Sequence, residues 1–274
     1  GRNLYRFFEP GLAAMVQARR ALEVDLETAL PRQEFDLDFQ PLMNIESGEI
    51  IGAEALMRWH SPARGTVAPD EFIPVAEETG LIVPLGEWAL RKACAAAASW
   101  PAGVRIAVNV SAVQLKSGGF ARSVISALAF SGVPAGQLEL EITETVLMDE
   151  SETVLKTLRQ LRELGIRIAL DDFGTGYSSL GYLRRFPVDK IKIDRSFIHD
   201  LGNRDTAAIV RTIIGLGAEL GITVTAEGVE TEAQLDILRG NGCVEAQGYL
   251  IGVPSKAADI QRLLKSRALH SQIG

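Results

Sequence analysis

The chain has 274 residues, of which 47% are hydrophobic and 23% are charged, and its formal net charge at pH 7 is −7. This composition predicts a globular domain with a large core and differs from that of a disordered or fibrous chain. The negative charge offers no basic patch that could neutralise a DNA backbone, so DNA binding is not expected.

The cysteine and hydropathy patterns predict a domain of a reducing compartment. Cys94 and Cys243 are far apart, and neither lies in a metal-ligand spacing, so a disulfide framework or a structural zinc site is not expected. No apolar run reaches the ~20 residues of a membrane span, and no signal peptide precedes the domain. We therefore expect a cytoplasmic domain without membrane contact of its own, whose parent protein is free to carry a membrane anchor.

The segment before residue 35 differs from the rest of the chain. A charged run rich in Ala, Leu and Arg over residues 12–30 predicts one helix that ends at Pro31. Two interpretations of this helix remain open on composition alone. It is either a helix packed on the domain or a linker from a domain that precedes it.

From residue 35 onward, short apolar runs rich in β-branched residues alternate with longer segments of helical periodicity. This alternation predicts parallel strands joined by helices. The predicted strands cover residues 35–43, 50–59, 104–110, 138–143, 166–172, 190–194, 223–226 and 244–249. The predicted helices cover residues 70–79, 85–99, 112–131, 150–164, 205–220, 232–239 and 257–266.

The number of strands decides between two α/β folds. Eight strands with intervening helices favour a (β/α)8 barrel of the TIM type over an open doubly wound sheet, which usually has fewer strands. The first junction is different, because the segment NIESGE between the first two strands is too short for a helical crossover. The first strand is therefore predicted to be antiparallel to the second.

Polar residues concentrate at the carboxyl ends of the predicted strands. In a barrel these ends converge on one mouth, where active sites lie. The residues at these ends are Glu54, Asn109, Glu141, Glu144, Asp171, Asp172, Lys192, Asp194, Glu227 and Gln247.

Carboxylates that crowd into one mouth need compensation, because like charges raise one another's pKa. Two bound divalent cations would supply it, and oxygen ligands without cysteine or histidine favour Mg²⁺ or Mn²⁺. The alternative for any one acid is a helix cap or a surface ion pair. That alternative does not account for the whole set at successive strand ends.

Two further features bear on this site. The adjacent Asp171 and Asp172 precede the glycine-containing segment FGTGYSSL, which predicts either a mobile loop or a plain tight turn. In KIKID the lysines alternate with isoleucines, so Lys192 is expected to face the mouth if the isoleucines pack on helices. A structural salt bridge is the alternative role for Lys192. His60, His199 and His270 form no catalytic or metal-binding spacing.

The motifs resemble those of one family, the EAL-domain phosphodiesterases, over residues 35–264. EALMRW at residues 54–59 is similar to the signature that names the family. The other matching motifs are PDEFIPVAEETGLI, NVSAVQL, EITE, DDFGTGYSSL, KIDRSFI, AEGVET and QGYL, in that order.

The resemblance implies a (β/α)8 barrel with an antiparallel first strand. It also implies an enzymatic activity. The implied activity is metal-dependent hydrolysis of cyclic di-GMP to linear pGpG by a two-metal in-line displacement. GRNLYRFFEP looks like the end of a GGDEF domain. We therefore expect residues 1–34 to comprise that end and a linker helix, and residues 35–274 to form the EAL domain. Dimerisation and an upstream GGDEF or sensory domain are further expectations.

The resemblance also implies roles for individual residues. Glu54, Asn109, Glu141 and Asp171 look like ligands of a first metal, and Asp171, Asp172 and Glu227 like ligands of a second. Lys192 would position the attacking water, and Glu227, Lys192 and Glu54 are the expected catalytic residues. The implied substrate-binding residues are Arg58, Gln247, Gln40 and Leu56. The implied loop-supporting residues are Glu144, Asp194 and Glu230.

Two rival functions remain at this point. A non-catalytic receptor would bind cyclic di-GMP without cleaving it, and the complete ligand set argues against that rival. Another metal-dependent barrel enzyme could cleave a different phosphodiester with the same acids. Only the family motifs separate it from the main hypothesis.

Overall fold

The computed structural model describes residues 10–148, 151–176 and 186–270. The described residues divide between two units, the first within residues 1–36 and 57–85 and the second within residues 37–56 and 86–274. The strands are β1 Phe35–Asn44, β2 Ile50–Ser61, β3 Gly65–Val67, β4 Arg105–Asn109, β5 Leu138–Thr143, β6 Arg167–Phe173, β7 Lys190–Ile193, β8 Thr223–Ala226 and β9 Glu245–Gln247.

Among the described residues, one helix precedes β1 and the others follow β3. They are α1 Pro10–Ala29, α2 Pro69–Thr79, α3 Ile82–Ala97, α4 Ala112–Lys116, α5 Phe120–Ser131, α6 Glu144–Met148, α7 Glu152–Glu163, α8 Arg195–His199, α9 Arg204–Leu220, α10 Glu232–Gly240 and α11 Ala257–His270. A short 3₁₀ helix, Ala135–Gln137, precedes β5. None of the described helices combines the length and the apolar character of a membrane span.

Eight strands close into a ring, which confirms the predicted fold class. The order β1-β9-β8-β7-β6-β5-β4-β2 returns to the start because β1 also pairs with β2. The strands from β4 to β9 pair in parallel, as do β2 and β4, whereas β1 is antiparallel to β9. In the hairpin between β1 and β2, the amide of Asn44 donates to the carbonyl of Glu49. The predicted antiparallel first strand is therefore confirmed.

The first unit has an aromatic centre. The rings of Phe35 and Trp59 stack at 5.7 Å, and Phe72 meets both rings edge-on. Trp59 is fully buried, and its Nε1 donates to the carboxylate of Glu34 at 3.0 Å. This centre therefore satisfies the indole nitrogen while it buries large apolar surfaces.

In the second unit, the barrel strands are buried on both faces. Leu138, Leu140 and Ile142 of β5 are fully buried, and so are Ile191 and Ile193 of β7. The alternate positions on the same two strands are buried glutamates and lysines. Because neighbouring strand residues point to opposite faces, the charged side chains share one face of the sheet and the apolar ones share the other.

Several element boundaries differ from the prediction. The helix predicted over residues 112–131 is two helices, because Gly118 has a positive φ of 71° and interrupts the helical backbone. Strand β9 ends at Gln247, two residues early. Strand β3 and the short helices α6 and α8 were not predicted, since segments of three to five residues carry little periodicity.

Candidate functional site

Eight polar residues of the second unit lie at the carboxyl ends of the barrel strands, as the sequence predicted. Seven of them lie on β2, β4, β5, β6, β7 and β9, with Glu54 near the end of the segment of β2 that pairs with β4, and Glu227 follows β8 directly. We call this set the acidic site. It consists of Glu54, Asn109, Glu141, Asp171, Asp172, Lys192, Glu227 and Gln247.

Lys192 lies at the centre of the acidic site and is only 2% exposed. Its Nζ is 2.6 Å from Glu227 Oε1 and 2.7 Å from Glu141 Oε2. The same nitrogen is 3.2 Å from Asp171 Oδ1 and 3.4 Å from Glu54 Oε2. Four carboxylates from four strand ends therefore share one ammonium group, so the charges do not balance within this group.

Glu54 is held by amide side chains as well as by the lysine. Asn109 Nδ2 donates to Glu54 Oε1 at 2.6 Å, and Gln247 Nε2 donates to Glu54 Oε2 at 2.9 Å. Gln247 Nε2 also reaches Gln40 Oε1 at 3.2 Å, and Gln40 Nε2 donates to the carbonyl of Gly252. This chain of hydrogen bonds fixes the carboxylate of the EAL motif in one orientation.

A bulge in β6 presents two consecutive aspartates. The pairing of β6 with β7 steps from Leu170↔Ile191 to Phe173↔Ile193, so β6 contains one extra residue at Asp171 and Asp172. Asp172 has a positive φ of 55°, which is strained for a residue other than glycine. The amide of Asp172 donates to Asp171 Oδ1 at 3.0 Å. The bulge breaks the alternation that would turn the two carboxylates to opposite faces.

Three carboxylates of the acidic site are close enough to share a cation. Oxygens of Asp171, Asp172 and Glu227 all lie within 4.8 Å of one another. Glu54 and Glu141 meet the same lysine as Asp171 and Glu227. Hard oxygen donors without sulfur or imidazole are the ligands that Mg²⁺ and Mn²⁺ prefer. The residues present therefore fit a divalent cation site, and their chemistry does not distinguish the two metals.

Three carboxyl groups of the acidic site have raised pKa values, as expected for buried groups with an excess of negative charge around them. Burial raises the pKa of Glu227 to about 8, with Asp171 and Glu54 adding to the effect and Lys192 opposing it. Burial and the neighbouring Glu54 hold the pKa of Glu141 well above its usual range. Burial and Asp171 likewise raise the pKa of Asp172. The pKa values rise because one lysine cannot compensate all of these carboxylates.

The pKa values of Glu54 and Lys192 shift so that the charged form of each is favoured. Burial alone would raise the pKa of Glu54, but Lys192 and the hydrogen bonds from Gln247 and Asn109 outweigh it and lower that pKa. Burial alone would lower the pKa of Lys192, but the surrounding carboxylates hold it well above its usual range. The centre of the site is thus an ionised pair surrounded by further acids.

The loop that carries Glu227 is fastened to the end of β9. The amide of Val229 donates to the carbonyl of Gln247 at 3.0 Å, and the amide of Leu250 donates to the carbonyl of Val229 at 3.0 Å. A Cβ on Gly248 would lie 2.2 Å from both the nitrogen and the oxygen of Val229. Only glycine permits this approach. This contact was not predicted from the sequence, although a glycine directly follows the site residue in both EGV and QGY.

The predicted loop-supporting residues lie around the segment after β6 and the loop after β8. Glu144 is buried at the start of α6, and its Oε2 accepts a hydrogen bond from the amide of Gly174 at 3.4 Å. Asp194 caps α8, with its side chain accepting from the amide of Ser196. Glu230 is exposed and lies 3.7 Å from His199. Residues 177–180, the second part of DDFGTGYSSL, lie outside the described residues.

The four predicted substrate-binding residues divide between the units. Gln40 and Gln247 join the hydrogen-bond chain of Glu54. Leu56 is partly exposed on β2, two residues after Glu54. Arg58 belongs to the first unit, where its guanidinium donates to the carbonyl of Met57 at 3.1 Å.

Comparison with known proteins gives the family. The EAL domain family matches residues 23–254. This chain belongs to the EAL domain family. Residues 1–22 lie outside the match, and so do residues 255–274.

Named relatives of this EAL domain include two proteins of Pseudomonas aeruginosa. The bifunctional diguanylate cyclase/cyclic di-GMP phosphodiesterase MucR is 44% identical over 265 residues, which are 95% of this chain and 39% of that protein. The cyclic di-GMP phosphodiesterase NbdA is 41% identical over 271 residues, which are 97% of this chain and 35% of that protein. The chain spans less than half the length of these curated relatives.

A solved structure agrees with the family assignment and the fold. The PaMucR phosphodiesterase in its c-di-GMP complex superposes on this EAL domain with a TM-score of 0.84 at 44% identity. The match covers 88% of this chain and 99% of that one. The barrel is therefore that of the EAL structures.

Proposed function

We propose that this EAL domain hydrolyses cyclic di-GMP to linear pGpG with the help of two Mg²⁺ or Mn²⁺ ions. One observation carries the proposal: the carboxylates of Glu54, Glu141, Asp171 and Glu227 converge on Lys192 at the carboxyl ends of barrel strands. The names of the relatives MucR and NbdA supply the substrate.

The proposed cation ligands come from four strands and one adjoining loop. One ion would be held by Glu54, Asn109, Glu141 and Asp171, and the other by Asp171, Asp172 and Glu227. Asp171 is the bridging residue in this assignment, because the bulge places it beside Asp172 while its Oδ1 lies 3.2 Å from Lys192 Nζ. When bound, the two cations would lower the pKa of a shared water and neutralise charge on the phosphate.

The protein's own groups would orient and deprotonate the attacking water. Lys192 is an ammonium with four carboxylate neighbours, so it can donate a hydrogen bond to a water held among them and keep that water in line with the phosphorus. Glu227 is 2.6 Å from Lys192 Nζ and is the proposed proton acceptor. Glu54, fixed by Asn109 and Gln247, would hold its position throughout the reaction.

Four residues are proposed to bind the nucleotide. Arg58 would contact a phosphate, because a guanidinium matches phosphate oxygens in a bidentate manner. Gln40 and Gln247 would contribute amide groups beside Glu54, and Leu56 would add an apolar surface. Glu144, Asp194 and Glu230 would support the surrounding loops, as the hydrogen bond of Glu144 to Gly174 suggests for the first of them.

Chromatography of the reaction products tests the proposal. The protein is incubated with cyclic di-GMP and Mn²⁺ or Mg²⁺, with and without a chelator. We expect pGpG to accumulate with the metal and to be absent with the chelator. Binding of cyclic di-GMP without pGpG would identify the receptor alternative. Cleavage of other phosphodiesters in preference to cyclic di-GMP would identify a different barrel enzyme.

The parent protein is the subject of a further proposal. Residues 1–34 would comprise the end of a GGDEF domain and a linker helix, and residues 35–274 the EAL domain, so that a GGDEF or sensory domain precedes this one. The relative MucR is named as a bifunctional diguanylate cyclase/cyclic di-GMP phosphodiesterase, which supports the proposal of a second domain in the parent protein. A cytoplasmic location agrees with two free, buried cysteines. A homodimer is also proposed, and sedimentation of the purified domain would test it.

A further inference from the structure

Five charged side chains form a second group on the barrel strands, apart from the acidic site. They are Lys190, Glu139, Glu245, Arg105 and Arg167, and we call them the lower ion cluster. Lys190 and Glu139 are each 1% exposed, and Glu245 is 3% exposed. No function was predicted for this cluster from the sequence.

The two ion pairs of Lys190 connect strands that are not neighbours. Lys190 Nζ on β7 lies 2.6 Å from Glu139 Oε1 on β5 and 2.7 Å from Glu245 Oε2 on β9. In the sheet order, β6 lies between β7 and β5, and β8 lies between β7 and β9. The pairs therefore lie on the inner face of the ring, where side chains from alternate strands form a layer.

Each carboxylate of the lower ion cluster also has a second cation. Arg105 donates to Glu245, and Arg167 Nε donates to Glu139 Oε2 at 3.4 Å. Thr225 adds a hydrogen bond to Glu245 at 2.9 Å. The cluster contains three cations and two carboxylates, so it carries a positive excess where the acidic site carries a negative one.

The two groups lie one above the other on the same strands. Glu139, Lys190 and Glu245 each precede a residue of the acidic site by two positions, namely Glu141, Lys192 and Gln247. Two strand residues span roughly 7 Å, and they share a face of the sheet. At this distance a buried charge still affects a cation held above it, because buried charges are little screened by salt.

The electrostatics of individual groups agree with this coupling. The charge of Glu139 acts on Glu141, although less than that of the nearer Glu54. Burial alone would raise the pKa of Glu245, but Lys190 and Arg105 outweigh it and lower that pKa, so Glu245 is ionised at neutral pH.

Apolar side chains could fill this layer of the barrel interior as well as charged ones. The interior layers of TIM barrels usually consist of branched apolar side chains. Replacement of a buried ion pair by apolar residues of similar volume often leaves stability unchanged or improves it. A network of five charged residues at this height therefore calls for a role other than packing.

We propose that the lower ion cluster sets the affinity of the acidic site for divalent cations through its charge. This inference rests on the proposed function, since it assumes that the acidic site binds such cations. The positive excess below the site weakens cation binding and keeps it reversible. Removal of a lower carboxylate then weakens cation binding further, whereas removal of lower arginines strengthens it.

Two variants of opposite sign test the inference by Mn²⁺ titration calorimetry at fixed pH and salt. Glu139→Gln keeps the shape and removes one negative charge, and we expect Mn²⁺ affinity to fall about threefold to tenfold. Arg105→Gln combined with Arg167→Gln reverses the sign of the cluster, and we expect affinity to rise by a similar factor. A purely structural role would instead weaken binding in both variants.

Matched control variants change charge away from the barrel interior. Arg162→Gln removes an exposed arginine that pairs with Asp189, and Asp236→Asn removes an exposed carboxylate that pairs with Arg239. Both controls should bind Mn²⁺ as the unmodified chain does. Thermal unfolding of each variant confirms that the titrated protein is folded.

The possible outcomes separate this inference from the proposed function. Affinities that stay unchanged, or that move in the same direction in both test variants, overturn the inference while leaving the function intact if the unmodified chain binds Mn²⁺. An unmodified chain that binds no Mn²⁺ overturns both. If Glu139→Gln does not fold, the arginine variant decides alone, because both arginine side chains reach solvent and their loss exposes the carboxylates to water.

Discussion

The acidic site and the lower ion cluster are built from the same strands and each has a buried lysine, yet their charges are arranged differently. Lys190 has two carboxylate neighbours, and each of these has an arginine as well. Lys192 alone faces four carboxylates. Burial is nearly equal for the two lysines, so burial does not separate the two groups.

The difference teaches that buried carboxylates in excess of their cation partners are the better sign of a cation site. A buried carboxylate without a cation partner is costly. Such an excess is therefore expected only where a ligand compensates it in the working state. The four predictions that follow test this contrast, from the largest expected effect to the smallest.

The strongest test neutralises one carboxylate of each group. In Glu54→Gln the amide replaces a proposed metal ligand, and we expect kcat/KM for pGpG release to fall by about ten-thousandfold, or ~5.5 kcal/mol of transition-state stabilisation. Glu139→Gln in the lower ion cluster should keep hydrolysis within about tenfold of the unmodified chain. The measurement is product formation at saturating Mn²⁺.

The control for this test is Glu49→Gln, in the exposed turn between β1 and β2. It should hydrolyse cyclic di-GMP at the unmodified rate. A Glu54→Gln protein with full activity would contradict the assignment of the acidic site.

The second test removes each lysine in turn. Lys190→Met leaves two buried carboxylates with a single arginine each, and we expect a loss of about 3–5 kcal/mol in the free energy of unfolding, with or without metal. Lys192→Met leaves four carboxylates without a side-chain cation. Its loss of stability should be of similar size in chelator and should largely disappear in Mn²⁺, because bound cations replace the lysine charge.

Thermal unfolding of both variants in chelator and in millimolar Mn²⁺ provides the measurement. If Mn²⁺ restores the stability of both variants equally, or of neither variant, the proposed difference between the acidic site and the lower ion cluster is contradicted.

The third test concerns the backbone contact that holds Glu227. Gly248→Ala would place a methyl group 2.2 Å from the backbone of Val229, so the loop must move. We expect a loss of about 1–3 kcal/mol of stability and a fall in activity that exceeds the fraction unfolded. Circular dichroism and product release, measured on the same sample, separate the two effects.

Two glycines of α9 provide the comparison for that variant. Gly217→Ala would place a Cβ 2.3 Å from Val224 Cγ2, so it should lower stability and leave the activity of the folded fraction unchanged. Gly215 has open space and lies in a helix, so Gly215→Ala should raise stability by roughly 0.5–1 kcal/mol. Equal activity losses for Gly248→Ala and Gly217→Ala would show that the Val229 contact has no special part in the site.

The smallest expected effects compare two strained residues. Gln33 and Asp172 are the described residues other than glycine with positive φ, at 59° and 55°. Gln33→Gly should raise stability by up to about 1 kcal/mol and leave Mn²⁺ binding unchanged. Asp172→Gly should raise stability by a similar amount and weaken Mn²⁺ binding. If Asp172→Gly bound Mn²⁺ as the unmodified chain does, the strained backbone at Asp172 would have no role in cation binding.

The sequence predicted the parts of the structure that depend on periodicity and chain length. Alternating apolar runs identified the eight barrel strands, and the short NIESGE segment identified the antiparallel start. The clustering of Glu54, Glu141 and Asp171 followed from their shared position at strand ends, since a barrel leaves those ends only one mouth.

Other features could not be predicted because they depend on contacts between distant segments. The bulge at Asp171 and Asp172 is defined by its pairing with β7, and no local pattern indicates an extra residue. The approach of Gly248 to Val229 joins two loops that are about twenty residues apart in sequence. The lower ion cluster combines Arg105 and Glu245, which are 140 residues apart, so its balance of charge emerges only on folding.

The bulge in β6 also bears on how such a domain could lose its chemistry and keep its shape. If one of the two aspartates were deleted, the strand could return to a regular pleat, and its pairing with β7 would become continuous. The barrel would remain complete while one of the proposed cation ligands disappeared. We therefore expect the deletion of one codon to abolish the proposed hydrolysis while the barrel still folds.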